Sequence, residues 1–291
     1  MPFAPGASVD SVARFLGGML SARLGQPVVV ENRAGAGGMV GTAFVAGQPA
    51  DGYTLLMQAT PYVAAPLVTA TTRKPPYDPA KDLQPVALVG TGPLMVVVSS
   101  ELKVNSLREL IELARAKPQS VNYGSAGTGT VNHLGAEMFA SVAGVKLTHV
   151  PFNGLGPALT ALLGGTVQVL VASLPSVLPH VRSGKMRALA VTGTQRSPIV
   201  PDVPAAAEAG LAGFELETWW GVLGPVGIPA PVLKRLNEEI NAVLATPDLR
   251  ELLARDGAVP RPGSPDDFAG LIRAEIPRLR KVIQDARIVG E

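Results

Sequence analysis

A chain of 291 residues, 47% hydrophobic and 16% charged, is long enough to bury one large core or two smaller ones and is too apolar to be disordered. It has no cysteine, which excludes disulfides, thiol catalysis and zinc–thiolate centres. The net charge of +2 comes from 25 basic and 23 acidic residues that are scattered, so no nucleic-acid or membrane patch stands out, and no apolar run reaches the roughly 18 residues of a spanning helix.

Strand and helix patterns alternate through most of the chain, which predicts α/β layers. Residues 10–24 place Val12, Phe15, Leu16, Met19, Leu20 and Leu24 on one helical face, with Ser8 or Asp10 as cap. The stretch QPVVVEN (26–32) reads as a buried strand, residues 34–47 as a Gly-rich turn into a helix, and residues 52–60 as a strand ending in a polar turn at Thr60. After a proline-rich segment, VALVG and LMVVVSS predict two apolar strands. Ser106 and Glu109 then form an S-x-x-E capping box for a helix up to about Lys117.

Two strand–turn–helix units follow, the second closing at Gly164 and Gly165. VQVLVAS predicts a strand, LPSVLPHVRSG a short helix and MRALAVTG another strand. Residues 214–225 form a long apolar strand whose adjacent Trp219 and Trp220 face opposite sides, most simply as packing residues. The remainder is helical: residues 229–245, a helix capped by Thr246 with Pro247 first and Gly257 past its end, and a helix from Ser264 and Pro265 that Pro277 should kink. This order predicts two lobes, residues 1–98 plus 221–291 and residues 99–220. Apolar strands around 86–98 and 216–223 lie at the crossings, and the helical tail returns to the first lobe.

Two turns carry candidate chemistry. APGASVD (4–10) opens a helix, where unpaired N–H groups and the positive dipole end attract an anion; taken alone, it reads equally as an ordinary capped helix. YGSAGTGTVNH (123–133) is better equipped: Ser125, Thr128 and Thr130 offer hydroxyls, and Gly127 exposes backbone. An acyl-transfer reading of Ser125 is open, because YGSAG approaches the nucleophile elbow G-x-S-x-G, but Tyr123 stands at the first glycine position. The three histidines, His133, His149 and His180, have no spacing that supports a triad. GAGGMVG (35–41) fails as a dinucleotide fingerprint, with Val40 at the third position and Gln58 where an acid should close the next strand. No P-loop and no metal-ligand cluster is present in the sequence.

Long collinear stretches then resemble one family, the Bug-type (TctC-like) solute receptors of tripartite tricarboxylate transporters. The carriers run through nearly the whole chain: PFAPGASVD, LGQPVVVENRAGAGG, ADGYTLLM, YDPAKDLQPVALV, NYGSAGTGTVNHLGAEMF, LPHVRSGKMRALAVTG, PDVPAAAEAG and WWGVLGPVGIPAPVLKRLNEEI. The resemblance implies a two-lobed α/β periplasmic binding protein of type II-like fold, with a ligand cleft between lobes and two crossing strands. It implies no catalysis and no cofactor. A carboxylate would be held by Phe3, Pro5, Gly6, Ala7, Asp10 and Thr60 from one lobe, and by Ser125, Gly127, Thr128, Thr130, His133 and Ser173 from the other. Lobe closure would bury the ligand for membrane permease subunits, and the receptor would act as a monomer without nucleic acid. A sensory receptor serving a signalling partner, and a hydrolase using Ser125, are the competing readings.

Departures from the family pattern sharpen the expectation. The usual P-G-G-x-x-D turn has Ala7 at its second glycine, and the usual Q-V-D-L-M-F-D-N strand has Gln168 for its first acid and Ala172–Ser173 for its Asp–Asn pair. The lost aspartate would meet a ligand amino group, so an uncharged or apolar distal ligand end is expected, as in an aliphatic or aromatic mono- or dicarboxylate. Relatives enter this turn from a signal peptide and a full first strand. Met1 stands where that strand should be ending, so an exported product carrying both is expected, and without the strand its neighbours would keep unpaired backbone groups.

Overall fold

The computed structural model describes residues 1–3, 5 and 8–290. The chain forms two compact units, Met1–Thr91 with Trp219–Arg280 and Gly92–Thr218 with Lys281–Glu291. It passes from one to the other within two strands and near the end of the last helix. No helix among the described residues is long and apolar enough to cross a membrane.

The first unit begins with α1 (Ser8–Leu24), α2 (Met39–Ala46), β1 (Leu56–Ala59) and α3 (Pro61–Thr69). The expected strand over 26–32 does not form: residues 27–35 have no strand structure, and Val29 is 77% exposed. An apolar run becomes a strand only when a neighbour completes its ladder. Here no strand pairs with the run among the described residues; just past it, the Met1 amino group donates to the Glu31 carbonyl (2.9 Å) and Arg33 N–H to the Met1 carbonyl (2.7 Å). β1 is an edge strand. A cavity of about 860 Å³ lies in this unit, lined by Leu16, Leu20, Val28, Val30, Leu55 and Met57 among others.

β2 (Leu83–Ser99) is one continuous strand of 17 residues where two were expected. The Gly90–Pro93 stretch does not turn, because Gly90 and Thr91 are held extended against a later strand. Its second half enters the other unit, which continues with α4 (Leu107–Ala116), β3 (Asn122–Ser125), α5 (Val131–Ala143), β4 (Thr148–Pro151), α6 (Leu155–Leu163), β5 (Val169–Ser173), α7 (Leu174–Arg182) and β6 (Met186–Val191). β2 pairs antiparallel with β5 and β6, while β3 pairs parallel with β4 and β5. Each parallel strand leads into a helix at its C-terminal end, the arrangement in which open α/β sheets present ligand sites. The α4 cap forms as predicted, Ser106 Oγ accepting from Glu109 N–H at 3.2 Å; the Glu109 carboxylate reaches back to Asn105 N–H at 2.8 Å.

The chain returns to the first unit within β7 (Glu217–Pro225) and continues as α8 (Ala230–Leu244), α9 (Pro247–Arg255), β8 (Val259–Pro260) and α10 (Pro265–Asp285), which runs on through Pro277. β7 pairs antiparallel with β1, from Leu56 opposite Leu223 to Ala59 opposite Trp220. The two tryptophans take opposite faces, and both are buried. Trp220 joins a cluster with Val12, Leu16 and Ile240. Trp219 lies edge-on to Tyr62 and Phe268, and its indole N–H donates to the buried Glu275 carboxylate at 2.9 Å. Asn237 and Asn241 both donate to the Gly263 carbonyl, and Asn237 also bonds the Val86 carbonyl, fastening α8 to β2 and to the start of α10.

Candidate functional site

The turn between β3 and α5 is built almost entirely from its own hydrogen bonds. Gly127 and Gly129 adopt φ of 126° and 76°, values that a side chain would strain. Ser125 is fully buried; its Oγ accepts from Gly127 N–H at 3.1 Å and lies 2.6 Å from His149 Nε2. The Thr130 hydroxyl donates to the Gly127 carbonyl at 2.7 Å, and Thr130 is also the N-cap residue of α5. Gly129 N–H donates to His133 Nδ1 at 3.0 Å. Asn132 anchors the first turn of α5 to the sheet by donating to the Val171 carbonyl of β5 at 2.9 Å.

What the turn leaves open follows from that inventory. No hydrogen bond engages the amides of Ala126 and Thr128, or the Thr128 hydroxyl, among the described residues. The first amides of α5 lack intrahelical acceptors, as at any helix start, and carry the positive end of the helix dipole. The turn therefore offers unpaired N–H donors, while its Ser and Thr hydroxyls at 125 and 130 are spent holding its shape. Ser173 closes β5 in the same unit, its hydroxyl paired with Ser176 at 2.9 Å.

Three rings stack beneath the turn. His149 lies 4.9 Å from Tyr123 and 3.9 Å from His133, with interplanar angles of 15° and 9°. The Tyr123 hydroxyl donates to Glu137. Burial pushes the Tyr123 phenol and the Glu137 carboxyl up, the hydrogen bond between them adding to the first and opposing the second. Burial, followed by the neighbouring His149, brings His133 down to about 4, and burial alone lowers His149. Both shifts favour the neutral imidazole.

The first unit's candidates gather around Asn32. Asn32 donates to the Phe3 carbonyl (2.9 Å) and to Asp10 (2.8 Å), and Arg14 bridges Asp10 and Asn32. Asp10 is buried and serves this knot. The Phe3 ring lies against Gly38, where a Cβ would come within 3.2 Å of it. Pro5 is exposed; Gly6 and Ala7 lie outside the described residues. Thr60 is buried at the end of β1, its hydroxyl accepting from Trp219 N–H at 3.1 Å.

Sequence reasoning weighed Tyr123 and His149 only against a hydrolase, and gave no role to Glu137, Asn32 or Arg14. One signal for the first pair was present: Tyr123 and His149 occupy matching positions in consecutive strand–turn–helix units, and parallel pairing sets them side by side. The Ser125–His149 contact is the one a hydrolase would need, yet the Ser125 hydroxyl is sealed from solvent, and no carboxylate orients His149 among the described residues.

The comparisons agree along the whole chain. The family model described as the tripartite tricarboxylate transporter family receptor matches residues 12–288. Protein BugT of Bordetella pertussis is 40% identical over 287 residues, covering 98% of this chain and 87% of that protein. An R. palustris protein solved with adipate is 36% identical, with 99% and 96% of the two chains covered and a TM-score of 0.80. MatC from Rhodopseudomonas palustris, solved with bound malate, is 35% identical, with 97% and 96% covered and a TM-score of 0.77. The periplasmic binding protein BugD is 32% identical, with 100% and 97% covered and a TM-score of 0.77.

Proposed function

This chain belongs to the tripartite tricarboxylate transporter receptor family, a family of solute receptors and not of enzymes, and on that premise we propose that it captures a small carboxylate in the periplasm and presents it to membrane permease subunits. The observation that carries the carboxylate reading is the β3–α5 turn, a set of unengaged amides at a helix N-terminus, with glycines that let an oxygen approach. The Ala126 and Thr128 amides, the Thr128 hydroxyl and the first amides of α5 bind one carboxylate group. Ser125, Thr130 and His133 hold the turn in shape. Retention of the solute by lobe closure, for delivery to a permease, completes the reading.

The chemistry at the end of β5 narrows the ligand. Ala172 is buried and Ser173 spends its hydroxyl on Ser176, so no carboxylate stands there to meet an ammonium group. Gln168, at the other position where the family resemblance led to the expectation of an acid, bonds Asn122 N–H and the Gly165 carbonyl and so serves the fold. The solute is therefore an acid without an amino group. The relatives solved with adipate and with malate are consistent with that class.

A thermal-shift and calorimetric panel of adipate, malate, benzoate, aspartate and glutamate tests this reading. At 100 times Kd a ligand stabilises the folded state by about 2.7 kcal/mol. One or more of the amine-free acids should raise Tm accordingly, with aspartate and glutamate weaker by at least about tenfold. Tightest binding of an amino acid would refute the ligand class, and no binding across a broader acid panel would refute the receptor reading.

A further inference from the structure

We propose that His149, working with His133, is the positioning residue of the carboxylate turn: a neutral imidazole pair that accepts hydrogen bonds from the turn and never touches the solute. The inference rests on the β3–α5 turn being the binding element.

Its first support is register. Tyr123 pairs directly with His149 across the parallel β3–β4 ladder, so both rings project from one face of the sheet and stack. His133, in the first turn of α5, stacks on His149 at 3.9 Å and also lies 6.1 Å from Tyr123, so the three rings form one cluster. The imidazole of His149 thereby contacts both a strand and a helix, with its Nε2 against Ser125.

Its second support is the direction of the hydrogen bonds. Gly129 N–H points at His133 Nδ1, so that nitrogen is an acceptor and the proton sits on Nε2. Ser125 Oγ accepts from Gly127 N–H and keeps its own proton to give away. Two acceptors are in reach: the Gly127 carbonyl at 3.2 Å, already taken at 2.7 Å by Thr130, and His149 Nε2 at 2.6 Å. We assign the proton to the 2.6 Å contact, which makes His149 Nε2 the acceptor. Each imidazole thus fixes one glycine amide, His133 directly and His149 through Ser125. With Gly127 and Gly129 turned inward, the amides between and beside them, Thr128 and Ala126, are left to face a ligand.

Among the described residues no carboxylate hydrogen-bonds His149. β3 presents Tyr123 and Ser125, α5 presents His133 and Glu137, and β4 itself carries only His149. Glu137 is occupied by the Tyr123 hydroxyl, and its nearer oxygen is 3.9 Å from His133 Nε2. Two imidazoliums stacked at 3.9 Å would repel, and a protonated His133 Nδ1 would confront the Gly129 N–H donor with another donor.

The test uses the full chain with ¹⁵N labelling and two variants. His149→Phe keeps a stacking ring and removes the acceptor; His149→Gln restores an acceptor. In the unsubstituted protein at pH 7, imidazole ¹⁵N shifts should show both rings neutral, with His133 protonated at Nε2. In His149→Phe, exchange of the Gly127 amide should accelerate at least about tenfold, and adipate or malate affinity should fall by a similar factor. His149→Gln should recover most of both. A charged imidazole at pH 7, or unchanged Gly127 exchange in His149→Phe, would overturn the proposal, as would ligand affinity unmoved by that variant. Absence of binding by the unsubstituted protein would instead strike the receptor reading, and the exchange and shift data would still decide the role of His149.

Discussion

Replacing Trp219 with alanine should cost about 3–5 kcal/mol of stability, the range seen when large aromatic residues are cut from well-packed cores. Trp219 is 1% exposed and holds three partners in place. Its ring packs edge-on against Tyr62 and Phe268, whose loss leaves a cavity that neighbouring strands β1 and β7 cannot collapse to fill. Its indole N–H is the donor for Glu275, which is itself buried, so the truncation strands a polar group as well as removing apolar contact. Phe268 is further constrained by Gly221, where an added Cβ would sit 2.3 Å from the Phe268 ring. Urea unfolding followed by circular dichroism measures the effect, and a Trp219→Phe variant should recover more than half of the loss by refilling the space without the donor. A loss under about 1 kcal/mol for the alanine variant would show that this core relaxes freely.

The second large effect falls on binding. Gly127→Val should weaken carboxylate affinity by about 100-fold, as expected when one or two charge-assisted hydrogen bonds of about 1.5–3 kcal/mol are lost. Gly127 sits at φ 126°, a conformation open to glycine and costly for a β-branched residue, and relief of that strain would swing the Ala126–Thr128 amides away from a common oxygen. The added atoms would also press toward the Phe152 carbonyl, 3.6 Å from the Cβ position. Global stability should change little by comparison, because the turn lies at the sheet's end. Gly144→Ala supplies the control: that glycine is also left-handed, at φ 63°, but faces open space beyond α5. Calorimetry on both variants should show the loss only at position 127.

The parts of the fold that were legible in the sequence are those settled by neighbours in the chain. Ser106 and Thr246 cap their helices because a cap and its N–H target lie three residues apart. The alternation of strands and helices reads directly from periodicity, and long collinear stretches pointed to the family. What was not legible depended on distant partners. The apolar run at 27–30 looks like any buried strand, but strand structure requires a neighbour along its length, and among the described residues no strand pairs with it. VALVG and LMVVVSS look like two strands because Gly90, Gly92 and Pro93 interrupt them, yet pairing with β8 keeps the chain extended through that point.

The candidate site shows the same division. A run of small residues between a strand and a helix marks the 125–130 turn as a candidate anion cradle from its local composition. The division of labour within it is not local. Ser125 and Thr130 are visible as hydroxyl donors, but only the folded turn shows that their hydrogen bonds are directed inward, at Gly127 and His149. His149 lies 24 residues from Ser125, and no spacing rule joins them. Asp10 likewise has the look of a ligand group at a helix start, and its engagement with Arg14 and Asn32 appears only once residues 3, 10 and 32 are brought together.

The most direct measurement of the account is amide chemical-shift mapping on addition of adipate or malate to the ¹⁵N-labelled protein. Large, saturable shifts should appear at Ala126, Thr128 and Val131, with Gly127 and Gly129 moving less because their amides are already bonded within the turn. Saturable binding that leaves all five of these amides in place while shifting others elsewhere would contradict it.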